Sequence, residues 1–305
     1  MTAARTERLR TLTGNVLAEF TGEYAADTRG KTHRARTDSF QTGGKGINVA
    51  RMAERLGLPA TAVYIAGGPT GGVCEAWLSR MPFRAHRIDT AGDTRAGWVV
   101  RTPDGTETTF LGADRPVDPP VWREAVKAAC PGPDTAAALC GSVPSWTAEH
   151  TTAVSEIWFP GGAPAGPAYL DTYGAALAAL AALPWTAVKI NLDEFKRLEE
   201  DGAKSGNDHM EERLRHVAAV SAAHTWIVTD GGNPVSVLTR EEGYFQLQPP
   251  AIKLVSPTGS GDVFLATLIA ERARATPLRK ACAEALRLSA ANAAHPGVAD
   301  FPLEG

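Results

Sequence analysis

The sequence predicts an α/β protein of three layers, α/β/α, around a mostly parallel central sheet, with a small second β-sheet beside it. Three observations predict this. Short β-rich runs alternate with helical patterns along most of the chain, a rhythm that argues parallel strands covered on both faces. Two stretches, Phe20 to Phe40 and Arg95 to Leu111, interrupt that rhythm with β-like patterns. The length of 305 residues, 44% of them hydrophobic, suffices to bury a large core, as one large α/β domain or two.

Each element has a local reason. Phe20 to Phe40 is polar, rich in Arg and Thr, and alternates instead of following a helical period. Gly46–Leu56 places Ile47, Ala50, Ala53 and Leu56 on one face, as a buried helix side requires. Ala60–Ala66 reads as a strand, and Arg95 to Leu111 as two strands around Pro103-Asp104-Gly105, a hairpin signal. Then come helix Val121–Ala129, strand Thr135–Cys140, helix Thr147–Trp158 and strand Ala168–Thr172, with Pro160–Pro167 as a loop. In Ala175–Leu183, Leu177, Leu180 and Leu183 repeat every three residues, so this Ala-rich run reads as a buried helix stopped by Pro184. Strand Ala187–Asn191, helix His209–Ala223 and strand Thr225–Thr229 follow.

Composition excludes several partners. A net charge of -3 and a pI near 6.2 give no electrostatic case for nucleic acid or a membrane surface. Cys74, Cys130, Cys140 and Cys282 are widely spaced, without metal-binding spacing, and are expected to stay reduced in the cytoplasm. The N-terminal stretch carries Arg5, Glu7, Arg8 and Arg10 and no apolar core, so it does not read as a signal peptide. The seven histidines (33, 86, 150, 209, 216, 224 and 295) form no ligand spacing and are expected at the surface or in loops. The tryptophans are scattered and read as core and rim.

Chemistry concentrates in two glycine clusters. Leu254 to Ala270 reads as a strand end, the turn Thr258-Gly259-Ser260-Gly261, and a helix from about Asp262 to Glu271. Such a turn lets main-chain N–H groups close on an anion, and the helix adds its positive end. Asp262, beside that anion pocket, is placed as a base for phosphoryl transfer to a hydroxyl, or else merely caps the helix. The second cluster, Thr42-Gly43-Gly44-Lys45-Gly46-Ile47-Asn48, again opens a helix, and Lys45 and Asn48 offer donors to hydroxyls or a phosphate. It lacks the spacing of a Walker A loop, and no G-x-G-x-x-G occurs in the chain.

Taken with their order, Gly43-Gly44-Lys45-Gly46-Ile47-Asn48-Val49-Ala50 and Pro257-Thr258-Gly259-Ser260-Gly261-Asp262 resemble the paired signatures of the ribokinase-like, phosphofructokinase B carbohydrate kinases. Thr11 to Asn15 looks like that family's first strand, Gly141-Ser142-Val143-Pro144 its Gly-Ser-Leu-Pro turn, and Leu170 to Gly174 its Asp-Thr-Ser-Gly turn. Lys189-Ile190-Asn191-Leu192-Asp193-Glu194 resembles Lys-Pro-Asn-x-x-Glu except at Ile190, and Ala293 to Gly297 resembles the segment near the adenine. The wording is nearest the 1-phosphofructokinase and tagatose-6-phosphate kinase branch.

The resemblance implies a main kinase domain over 1–19, 41–94 and 112–305, with 20–40 and 95–111 forming a β lid over the substrate. It implies ATP and Mg2+, with K+ as a further cation, and Asp262 as base beside an anion hole of the Gly259, Ser260 and Gly261 amides. Substrate contacts would come from Glu19, Gly43, Gly44, Lys45, Asn48, Arg95, Ser142 and, in the lid, Lys31 with Arg34. Nucleotide contacts would come from Lys189, Asn191, Thr229, Gly231, Thr258, Gly259, Gly261 and Asn292. Asn191 and Glu194 would organise the metal through waters, although the same pair also reads as a helix cap. The acceptor would be a sugar or sugar phosphate, and the family's habit implies a homodimer through the lid. Glu19 stands where the branch has an aspartate, Val228 to Pro234 replaces a Leu-Gly-x-x-Gly loop, and Phe110 to Asp114 also departs from the branch. A non-catalytic sugar-binding homologue and a nucleoside kinase are the competing readings.

Overall fold

The computed structural model describes residues 6–202 and 209–303. Arg5 and the outer ends of the expected main domain, residues 1 and 305, fall outside them. The elements run β1 (Leu9–Thr13), β2 (Leu17–Glu23), β3 (Thr37–Gly43), α1 (Lys45–Arg55), β4 (Ala60–Ala66), α2 (Gly68–Leu78), β5 (Arg84–Asp89), β6 (Arg95–Arg101) and β7 (Glu107–Leu111). They continue with α3 (Pro119–Ala128), β8 (Ala136–Cys140), α4 (Ala148–Trp158), β9 (Ala168–Asp171), α5 (Gly174–Leu180), β10 (Ala187–Asn191) and α6 (Leu192–Gly202). The last are α7 (Met210–Ala219), β11 (Thr225–Asp230), β12 (Asn233–Thr239), β13 (Gly243–Leu247), α8 (Ser260–Ala273) and α9 (Leu278–Ala293).

The central sheet has nine strands in the order β13-β12-β11-β10-β9-β8-β1-β4-β5, parallel except where β12 and β13 join antiparallel. Strand alternation builds the three layers. Along β4, Ala60, Ala62, Tyr64 and Ala66 face α1, α2, α8 and α9, while Val63 and Ile65 face the helices α3 to α7. Both faces are therefore apolar, and Trp122, Trp158 and Trp185 fill the second. Starting from β1 the chain builds outward first through β4 and β5, then from β8 onward on the other side. A reversal of that kind opens a crevice at the carboxyl ends of the strands. No helix among the described residues is long and apolar enough to cross a membrane.

A separate four-stranded sheet, β3-β2-β6-β7, stands off this frame. Its first two strands reach into both flanks of the expected 20–40 segment, and residues 24–36 between them contain no strand. Phe40, Phe20, Trp98 and Phe110 align across all four strands as one row. Phe20 stacks on Trp98 at 5.3 Å, and Trp98 and Phe110 remain 49% and 57% exposed.

Several expectations change. Leu254 to Ser256 is not the end of a strand: β13 stops at Leu247, before Pro249-Pro250, and Val255 and Ser256 donate their N–H groups to the Ala293 carbonyl at the end of α9. α5 ends at Leu180 and α7 at Ala219, short of the expected Leu183 and Ala223. His150 is not a surface residue; it is 1% exposed, bonded through Nε2 to the Val117 carbonyl (2.8 Å) and through Nδ1 to the Thr147 hydroxyl (2.8 Å). Helix α2 escapes a periodicity reading because its first turns are Gly68-Pro69-Thr70-Gly71-Gly72.

Candidate active site at the carboxyl edge of the sheet

The turn before α8 is shaped by one left-handed residue. Gly259 has φ 76°, and a Cβ there would lie 2.4 Å from Val298 Cγ1, so glycine is required by both conformation and space. Its carbonyl accepts from the N–H groups of Asp262 and Val263, which starts the helix. The Ser260 N–H closes a turn on the Pro257 carbonyl at 3.2 Å and so does not point outward as expected. Among the described residues, the amides of Gly259 and Gly261 have no protein acceptor. These two N–H groups, at the positive end of a fourteen-residue helix, make a cradle suited to an anion.

Asn292 braces the cradle from behind. It is 0% exposed, donates to the Thr258 carbonyl (3.0 Å) and the Ser260 hydroxyl (3.0 Å), and accepts from the Ala299 N–H (2.9 Å). Its side chain, expected as a nucleotide contact, here supports the turn. Arg51 on α1 grips the same C-terminal segment at the Val298 carbonyl (3.0 Å) and the Asp300 carboxylate (2.7 Å).

Asp262 is the third residue of α8 and 5% exposed. Asn48, from the first turns of α1, donates its amide to Asp262 Oδ2 at 2.7 Å. Below them lies a buried ionic cluster. Asp171, at the end of β9 and 0% exposed, accepts Lys45 Nζ on one oxygen and Lys189 Nζ on the other, each at 2.6 Å. Lys45 also reaches Glu194 Oε1 at 3.2 Å. Burial opposes the Asp171 charge, but the two ammonium groups outweigh it and hold its pKa below the ordinary carboxylate value. Burial likewise opposes the Lys45 charge, yet Asp171, Glu194 and Asp262 together raise its pKa. For Asp262, burial and then the neighbouring Asp171 charge push the pKa up to about 6, against Lys45, Asn48 and Lys189. A carboxyl poised there is a proton acceptor near neutrality.

Lys189, expected as a nucleotide contact, is turned into the ionic cluster. It is 3% exposed, paired with Asp171, and lies under Gly261, where a Cβ would meet its Nζ at 2.7 Å. Alternation along β10 explains this, since Val188 and Ile190 face the opposite layer and Lys189 must face α8. Asp171 was not assigned a role from sequence; the available signal was a lone carboxylate closing the apolar strand Ala168-Tyr169-Leu170.

Asn191 and Glu194 form a reciprocal cap at the start of α6. The Asn191 N–H reaches Glu194 Oε2, and the Glu194 N–H reaches Asn191 Oδ1, both at 2.8 Å. The described residues contain no group of three or more His, Cys, Asp or Glu side chains able to cage a metal. These donors fit an ion that keeps its water shell and binds mainly to substrate phosphates, as Mg2+ does. Thr229 lies at the end of β11, half-buried, and Gly231 (φ 53°) at the exposed tip of the Asp230–Asn233 hairpin. Pro234 sits exposed beside that tip.

On the acceptor side, Gly44 has φ 151° and packs against Thr13, and a Cβ on Gly43 would lie 3.2 Å from Glu19 Oε2. Glu19 is held by a short hydrogen bond from Gln41 on β3. Arg95 Nη1 meets Asp114 Oδ1 at 2.6 Å, and Asn15 Nδ2 joins Asp114 (2.8 Å) to Ser142 Oγ (3.0 Å). Asn15 and Asp114 had no assigned role from sequence. Lys31 is exposed in the strandless segment and contributes nothing to this cluster. A cleft of about 870 Å³ separates the outer end of the small sheet, at Tyr24, Arg36 and Arg101, from Val255 and Thr258 ahead of α8 and Pro296 after α9. Its size suits a small ligand.

Comparison with known proteins agrees with this geometry. Residues 12–304 match the pfkB family of carbohydrate kinases. The 1-phosphofructokinase of Bacillus subtilis strain 168 is 27% identical over 281 residues, spanning 89% of this chain and 88% of that protein. That of Escherichia coli K12 is 25% identical over 312 residues, spanning 97% and 94%. In fold, the chain is similar to Escherichia coli phosphofructokinase-2 in complex with fructose-6-phosphate, with a TM-score of 0.83 at 21% identity over 94% of each chain. It is also similar to ribokinase from Thermotoga maritima, with a TM-score of 0.75 at 16% identity over 97% and 96%. With a family match across nearly its whole length, the chain belongs to the pfkB family of carbohydrate kinases.

Proposed function

We propose that this kinase transfers the γ-phosphoryl group of ATP to a hydroxyl of a phosphorylated hexose, with Asp262 as general base. The observation that carries this is the placement of Asp262. It is a buried carboxylate with a pKa near 6, beside the free Gly259 and Gly261 amides, and tied to the acceptor glycine loop through Asn48. The name shared by the curated relatives, 1-phosphofructokinase, supports the acceptor class.

In the reaction, Asp262 takes the proton of the acceptor hydroxyl as its oxygen attacks the γ-phosphorus. The bond to the bridging oxygen breaks in line, and ADP leaves with that electron pair. The two amides receive the charge on the moving phosphoryl oxygens, an effect of roughly 2.7–4 kcal/mol for a well-placed donor. Lys45 and Lys189 keep Asp171 ionised, so its charge raises the basicity of Asp262. When bound, Mg2+ neutralises the phosphates, and Asn191 and Glu194 would hold its water shell.

Residues 20–40 and 95–111 act as a lid that closes over the acceptor and excludes water. The aromatic row across that sheet, with Trp98 and Phe110 half-exposed, supports pairing of two chains through it. A single species of 32.2 kDa in sedimentation at micromolar concentration would count against that dimer. Free cysteines throughout support a reducing, cytoplasmic setting. One solved phosphofructokinase-2 holds potassium, and comparing turnover in K+ and Na+ buffers reads any such dependence here.

The deciding experiment is ADP release over free hexoses, hexose phosphates and nucleosides, with Asp262→Asn beside the wild type. Turnover of a hexose phosphate, reduced roughly 10²–10⁴-fold in the variant with sugar binding retained, is expected. Turnover confined to nucleosides, or an unchanged rate in Asp262→Asn, would overturn the assignment.

A further inference from the structure

The acceptor end of the site already holds an anion. Asp114 follows β7 and is 58% exposed, yet its Oδ1 takes N–H donors from Arg95 Nη1 (2.6 Å) and Asn15 Nδ2 (2.8 Å). The Ser142 hydroxyl lies 3.0 Å from the same Asn15 nitrogen. A guanidinium and an amide meeting at one oxyanion, with a hydroxyl beside the amide, is a donor set suited to a phosphate monoester. Arg95 is itself held in place: its side chain is 14% exposed, and Nη2 reaches the Asn15 carbonyl at 3.4 Å. Its Nε–H is buried and without an acceptor. The guanidinium is therefore the buried, anchored partner, and the carboxylate the exposed one.

We propose that Asp114 is an internal stand-in for the acceptor's phosphate, and that its charge sets the choice between phosphorylated and unphosphorylated sugars. This rests on the phosphosugar reading above. A phosphate dianion reaches Arg95 only by displacing the carboxylate, because two anions at one guanidinium repel. An uncharged sugar leaves the Arg95–Asp114 pair closed. Glu19, the other carboxylate of the acceptor side, adds to the same discrimination.

Asp114→Asn keeps the side-chain shape and an acceptor oxygen while removing the charge, at an exposed position that does not threaten folding. The measurement is kcat/KM for a hexose monophosphate and for the same hexose without phosphate. Their ratio is expected to rise about tenfold in favour of the phosphate, mainly through KM, as relief of like-charge juxtaposition implies. The gain should shrink at high ionic strength and vanish in Asp114→Asn/Arg95→Ala. ATP-free calorimetry with the hexose monophosphate should show the same tightening. A ratio that stays constant or falls overturns the stand-in and makes Asp114 a hydroxyl ligand or a bystander. Should the wild type turn over only unphosphorylated hexose, the phosphosugar reading fails by itself. In that event hexose monophosphate turnover appearing in Asp114→Asn upholds the stand-in, and its absence removes it.

Discussion

Asn48 Nδ2 sits 2.7 Å from Asp262 Oδ2, so a residue from the start of the chain's first long helix steadies the carboxylate of its penultimate one. The contact joins the two glycine clusters into one site. It also fixes which Asp262 oxygen is occupied and leaves Oδ1 without a hydrogen-bond donor among the described residues.

The pKa near 6 of Asp262 has two opposite pH consequences. As a base it must be ionised, so kcat/KM should fall as pH drops through about 6. Stability runs the other way. A carboxyl raised from 3.8 favours the folded state while protonated, and that contribution is lost as pH rises from 3.8 through 6. Asp262→Asn should therefore be more stable than wild type at pH 7.5, by at most about 3 kcal/mol, and equal to it near pH 4. Urea unfolding at both pH values, with a pH–rate profile, checks each half.

Glu194→Gln separates capping from metal organisation. Glutamine serves at the third helical position as well as glutamate does, so the cap is kept, and urea stability should fall only by the lost Lys45 pairing. If Glu194 orders the water shell of Mg2+, the metal concentration for half-maximal rate should rise roughly ten- to a hundredfold. An unaltered Mg2+ titration would leave Glu194 as a cap alone.

Gly259→Ala places a methyl group against Val298 and forces an L-residue to φ 76°. Backbone strain of this kind costs about 1–3 kcal/mol, and a shift of the cradle by about 1 Å should lower kcat roughly a hundredfold. Adding Val298→Ala should recover part of the loss by removing the clash. Steady-state kinetics and thermal unfolding of both variants read the two contributions.

Lys189→Met takes one of two cations from a carboxylate that is 0% exposed. Breaking a buried pair from one side should cost about 3 kcal/mol, and Asp171→Asn in the same background should return much of it. Denaturant midpoints of the single and double variants measure this.

The layers were legible because apolar runs of strand length recur between helical periods. Ala60–Ala66 and Ala187–Asn191 match their strands residue for residue. Helix α2 was hidden by glycines that are placed by tertiary packing: a Cβ at Gly67 or Gly68 would strike the 90–93 turn. The glycine turn, Asp262 and Asn48 were legible from residue type and spacing. The internal partners of Lys189 and Asn292 were not legible, because a motif reports position along the chain and says nothing of which layer a side chain enters. The Arg95–Asp114 pair joins residues nineteen apart across the root of a sheet, a closeness that only the β6–β7 register creates.

The aromatic row of the small sheet supplies a built-in optical probe. Trp122, Trp158, Trp185 and Trp226 are at most 1% exposed, Trp77 and Trp146 are half-covered, and Trp98 alone stands 49% open. Iodide should therefore quench one indole preferentially. Fluorescence then follows the movement or pairing of that sheet in the unmodified protein, separately from catalysis.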